Sequence, residues 1–147
     1  MATSNAATTY LEHAILDFLF KNNSESLTTP GDSIYVGLAT AASDPEAGTV
    51  TEVNTGTEDA NYARQQVTAA NWTLASGATD AQTVENAANI EYAASSGISS
   101  YTVTHAFIAD ASTSGNILFV GALDASKTIA SGDIFRINAG NLTIELK

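Results

Sequence analysis

The chain has 147 residues and a mass of 15.2 kDa, the size of one ordinary domain. Sixteen acidic residues against five scattered bases (Lys21, Arg64, Lys127, Arg136 and Lys147) give a formal net charge of −11. A field of that sign excludes binding to a nucleic-acid backbone, which needs clustered Lys and Arg to displace counterions. Hydrophobic residues make up 44%, enough for a core, and the absence of cysteine removes disulfides and thiolate metal sites.

Taken in chain order, residues 1–9 are polar and carry no charged side chain, with neither the basic nor the apolar region of a signal peptide. They read as a flexible N-terminal arm in front of a single β-rich domain over 10–147. Thr9 followed by Glu12 fits a capping box, and Tyr10, Leu11, Ala14, Ile15, Phe18 and Leu19 recur at the spacing of one helical face. A helix over residues 9–22 is therefore predicted, its stripe turned to the core and its end marked by Asn22-Asn23.

After Pro30-Gly31-Asp32, Ser33–Ala39 reads as a strand. Thr40–Asn61 reads as a long acidic loop subdivided by a short strand within Thr49–Val53. Further strands are expected in Ala63–Val67, Asn71–Leu74, part of Val84–Tyr92, Tyr101–Ala109, Ile117–Leu123, Asp133–Asn138 and Leu142–Leu146. Turn chemistry stands between them at Ser76-Gly77, Ser96-Gly97, Ser114-Gly-Asn116, Ser131-Gly-Asp133 and Ala139-Gly-Asn141. Short strands at this rhythm predict a mainly β fold: an antiparallel β-sandwich or barrel with one N-terminal α-helix. No apolar run approaches the roughly 18 residues of a membrane span, and no membrane association is expected.

Candidate chemistry is sparse. His13 lies off the apolar stripe and reads as exposed; His105 alternates with Val103 and Phe107 and reads as partly buried and hydrogen-bonded. A zinc site needs three or four convergent ligands, which this pattern does not assemble. No serine stands in a G-x-S-x-G elbow. The loop acids Asp44, Glu46, Glu52, Glu58 and Asp59 depart from the calcium-loop spacing and read as a solvated surface. Gly37 and Gly121 interrupt apolar strands, the mark of a bulge or a close backbone approach. Trp72 reads as core. No catalytic, metal or cofactor-binding residue is assigned.

The order of segments carries a resemblance. Tyr10-Leu-Glu-His-Ala-Ile-Leu-Asp-Phe-Leu-Phe20 is followed by Ile34-Tyr-Val-Gly-Leu-Ala-Thr40, Tyr62-Ala-Arg-Gln-Gln-Val67 and Val103-Thr-His-Ala-Phe-Ile-Ala-Asp110. Gly115-Asn-Ile-Leu-Phe-Val-Gly-Ala-Leu123 and Lys127-Thr-Ile-Ala-Ser-Gly-Asp133 complete the series. From Tyr10 to Lys147 this resembles a family of small tailed-bacteriophage virion proteins labelled tail fibre, head fibre or capsid decoration proteins. The resemblance implies a virion component with a helix and a β-rich fold, made in the host cytoplasm and without catalysis. The absence of shaft repeats or heptads favours the head: a capsid decoration, or cement, protein that stabilises the shell by binding neighbouring capsid subunits. The alternative is a tail or baseplate fibre component involved in host attachment. The expected partners are the major capsid protein or another virion protein, together with further copies in a homo-oligomer. The residues expected to make those contacts are Thr3, Asn5 and Thr8 in the arm and Asp44, Glu46, Glu52, Glu58 and Asp59 in the loop.

Overall fold

Alternating apolar residues in three long segments build the centre of the structure, a computed structural model that describes residues 5–21, 34–74 and 82–146. The elements in chain order are β1 (Asn5–Ala7), α1 (Thr9–Lys21), β2 (Tyr35–Asp44), β3 (Thr49–Glu52) and β4 (Gln65–Gln66). A 3-10 turn at Ala69–Asn71 then leads to β5 (Trp72–Leu74), β6 (Gln82–Asn86), β7 (Ile90–Glu91), β8 (Tyr101–Ala109), β9 (Ile117–Ile129), β10 (Arg136–Ile137) and β11 (Thr143–Leu146). Thr3, Asn22-Asn23, Pro30–Asp32, the first residue of the Ser33–Ala39 segment, the Ser76-Gly77 turn and Lys147 lie outside the described residues.

The main sheet runs β1-β9-β8-β2-β3, with β4 pairing the start of β2. Two small sheets, β10-β7 and β11-β6-β5, complete a curled antiparallel half-barrel with, among the described residues, one α-helix. The register sets Val36 opposite Ile108 and Leu38 opposite Ala106, then Phe107 opposite Val120. Because alternate side chains take opposite faces, the main sheet has two cores. One contains Val36, Leu38, Tyr101, Val103 and Ile129, together with Ile90 and Ile137 from the β10-β7 sheet. The other contains Ala39, Phe107, Ala109 and Val120. A register shift between Val103 and His105 moves β8 from one face to the other. Val103 and Phe107, two-residue alternates of His105, therefore lie in different cores.

Three expectations meet a different outcome. Residues 5–7 form an edge strand on β9, Asn5 opposite Gly121 and Ala7 opposite Phe119, where an unpatterned polar sequence predicts a flexible arm. An edge strand is held by backbone hydrogen bonds, which leave no trace in side-chain periodicity. The segment Thr40–Asp44, expected to open the long loop, continues β2, and its hairpin partner is β3. Ala, Thr and Ser read as loop there because they are small, yet the ladder needs only their main chain. The helical stripe, predicted to face the core throughout, buries only Leu11 and Ala14. The helix packs on β9, and Phe18 and Leu19 are exposed. The helix begins at Thr9 as predicted, though its cap is Thr8, which accepts the Leu11 N–H at 3.4 Å, in place of Thr9 with Glu12.

Candidate functional site

The residues expected to touch a partner are largely engaged inside the fold. Asn5 contributes its backbone to β1. Thr8 is buried; its hydroxyl donates to the Ile117 carbonyl at 2.6 Å, and its N–H donates to the Leu118 carbonyl at 2.9 Å. The next residue, Thr9, donates its N–H to the Glu46 carbonyl at 2.8 Å, so the N-terminal strand and the β2–β3 turn meet at one place. That turn is closed by Asp44, whose Oδ1 accepts the Ala47 N–H at 3.1 Å. Glu46 is exposed at its tip.

The second half of the acidic segment is an ordered polar structure. Asn54 Oδ1 accepts the N–H groups of Gly56 and Thr57 at 2.8 and 3.1 Å, and Glu58 Oε2 accepts the Asn54 N–H at 2.8 Å. Asp59 is buried. Its Oδ1 accepts the Asn61 and Ser96 N–H groups at 3.0 and 2.9 Å, and its Oδ2 accepts the Tyr101 hydroxyl at 3.0 Å. Burial alone would raise this carboxyl, but the hydrogen bonds from Ser96, Asn61 and Tyr101 together outweigh it and hold the pKa below its usual value. The Tyr101 phenol is pushed up in turn, by burial and by the Asp59 carboxylate.

Glu52 faces Arg64. The guanidinium grips it with two bonds, Nε to Oε1 and Nη2 to Oε2, both 2.8 Å. Its Nη1 donates to the carbonyls of Ala111 and Ser114 at 2.9 and 2.7 Å, and its carbon stands 5.0 Å from the centre of the Phe107 ring. One side chain, 7% exposed, thus joins β3 to the β8–β9 connection and covers the smaller core. Tyr62 donates to the same carboxylate at 2.8 Å and accepts the Leu38 N–H at 2.9 Å, and burial raises its pKa.

Asn86 is the corresponding centre for the small sheets. Its amide donates to the Ala88 and Asn138 carbonyls at 2.8 and 2.9 Å, and its Oδ1 accepts the Leu142 N–H at 2.8 Å. Sequence reading missed Arg64, Tyr62 and Asn86. The one signal for Arg64 was an isolated base just after a run of acids; Asn86 carries no motif. Every buried side-chain nitrogen and oxygen among the described residues has a hydrogen-bond partner.

His105 is half-buried with Nδ1 2.8 Å from the Thr104 hydroxyl, and burial lowers its pKa. His13 is exposed, 3.8 Å from Asp17. Among the described residues, no three His, Asp or Glu side chains converge as metal ligands. An open groove of about 480 Å³ lies between the end of β9 and residues Asp133–Asn138. Two of its charged walls are already engaged: Asp133 accepts the Ala130 N–H at 2.9 Å, and Arg136 donates to Glu91, while Lys127 is exposed.

A second feature open to a partner is apolar. Leu16, Phe18, Leu19 and Phe20 stand 56, 48, 64 and 80% exposed on α1. No helix among the described residues is long and apolar enough to cross a membrane. No curated protein matches the chain. The family described as podophage GP4 fiber I protein gp80 matches it over residues 6–145, nearly the whole sequence, and the chain belongs to that family.

Proposed function

We propose that the protein serves the phage particle as a fibre-type subunit and acts by binding, without catalysis. Family membership makes it a phage fibre or virion structural protein. The fibre reading rests on one observation, the near full-length match to a family described by a fibre protein. The arrangement of side chains supports action by surface contact: the acids of the β3–β4 segment and the bases Arg64 and Arg136 hold the fold together, while a stretch of helix is left apolar and open.

A second reading, a capsid decoration protein, is favoured by the absence of shaft repeats or heptads in the sequence. Labelling intact particles with antibody against the purified protein separates the two. A fibre subunit gives label at an appendage, and the antibody slows adsorption to host cells. A decoration protein gives label spread over the head, and the antibody leaves adsorption unchanged. Particles without label would remove both readings.

A further inference from the structure

Helix α1 is apolar on two sides. Leu11, Ala14 and half-buried Ile15 turn toward β9; Leu16 and Phe20 lie on the opposite side, and exposed Leu19, at the edge of the first face, joins them as an i, i+3, i+4 neighbour. His13, Asp17 and Lys21 form one polar strip, and the apolar arc beside it is wider than the sheet covers. Leu16, Leu19 and Phe20 leave roughly 400 Å² of apolar surface uncovered, within the range of the largest, often functional, patch of a monomer. The adjoining sequence supplies little to cover it: residues 22–33 include one large apolar side chain, Leu27, and residues 75–81 none.

We propose that this stripe is a self-association surface, occupied by the same helix of a second copy. Charge selects that occupant. Residues 1–21 contain Glu12 and Asp17 against Lys21, so only −1 of the net −11 lies in this part of the chain. A basic partner would be drawn to the acidic remainder, whereas two identical acidic molecules repel least where their charge is lowest. A short stripe of Leu and Phe is also self-complementary, as a two-fold interface requires. A bilayer fits less well, because Lys21 is the one base on the helix. Roughly 400 Å² per copy falls short of the about 800 Å² per partner of a standard stable interface. The association is accordingly weak and concentration-dependent, suited to subunits brought together at high local density. It holds for a fibre subunit and a decoration protein alike.

Sedimentation equilibrium of the full chain tests this. The expected result is a weight-average mass that rises above 15.2 kDa as concentration approaches about 10⁻⁴ M. Leu19→Lys and Phe20→Lys should each raise the dissociation constant tenfold or more, with circular dichroism and melting temperature unchanged, since neither side chain is in the core. The chain has no native cysteine. Leu19→Cys should therefore form a disulfide-linked dimer in oxidised glutathione, while exposed Thr143→Cys should not. A protein that stays monomeric across the range overturns the proposal. Association that survives both lysine variants overturns it too, as does binding to neutral phosphatidylcholine vesicles in place of self-association.

Discussion

At Gly37 a Cβ would stand 2.2 Å from Cζ of Phe107, because the ring lies flat across the glycine on the neighbouring strand. Gly37→Ala must displace the ring that anchors the smaller core, and overpacking of this kind destabilises by about 1–3 kcal/mol; the melting temperature in denaturation scans reads it. Arg64→Ala removes both bonds to Glu52 and both carbonyl contacts, leaving a partly buried carboxylate without its counter-charge. The expected loss is about 2–4 kcal/mol, measured by urea unfolding. Asp59 adds a pH dependence. Its folded pKa is depressed, so its stabilisation is present above the unfolded value of about 3.9 and is lost as pH falls through the folded value. Asp59→Asn should lower stability at pH 7 by about 1–3 kcal/mol and flatten the acid limb of the stability curve. A limb as steep as the parent's would assign acid unfolding to other carboxylates. These residues show what a sequence displays poorly. Gly37 was legible as a break in an apolar strand, and His105 as half-buried. Asp59 looked like one more solvated acid, because its three donors come from residues as distant as Ser96 and Tyr101.

The same division appears among the elements. The strand Tyr101–Ala109 was legible to the residue, since a nine-residue run of aromatic, β-branched and apolar residues between turn residues has few alternatives. The strand Ile117–Ile129 runs six residues beyond its apolar part, and after the register shift at Asp124-Ala-Ser126 backbone pairing of Lys127, Thr128 and Ile129 with β8 replaces side-chain pattern. The strand β1 was invisible for that reason. Its presence changes what truncation does: deleting residues 2–7 should lower stability by on the order of 1–2 kcal/mol, through lost ladder bonds, and leave an open β9 edge prone to association. Thermal melting with light scattering measures both, and an unchanged melt would show β1 to be dispensable. The helix was placed correctly, but its environment was not. The 3.6-residue period specifies which side chains share a face and is silent on whether the sheet beneath extends far enough to cover them.

On the scale of the whole molecule, a net −11 in a 147-residue chain makes self-repulsion a general term in its stability. Raising NaCl from about 0.01 M to 0.5 M shortens the screening length from roughly 30 Å to under 10 Å. The melting temperature should rise monotonically over that range; a fall would mean that ion pairs such as Glu52–Arg64 outweigh the repulsion. Fold class was legible at this scale because strand rhythm and turn residues are local signals. The contact surface was not, because exposure depends on how distant segments cover one another. That dependence also has a consequence in time. Thr8 and the helix behind it rest on Ile117 and Leu118, more than a hundred residues later in the chain. At translation speeds of about 5–20 residues per second, the N-terminal segment waits on the order of 5–20 s for its seat to be made. Throughout that interval Leu11 and Ala14 lack the β-sheet that buries them and add to Leu16, Phe18, Leu19 and Phe20, which stay exposed in the folded chain. Nascent chains halted before residue 117 should exchange the Thr8 amide freely and recruit chaperones that bind apolar segments, and chains released beyond residue 129 should protect that amide and recruit fewer of them.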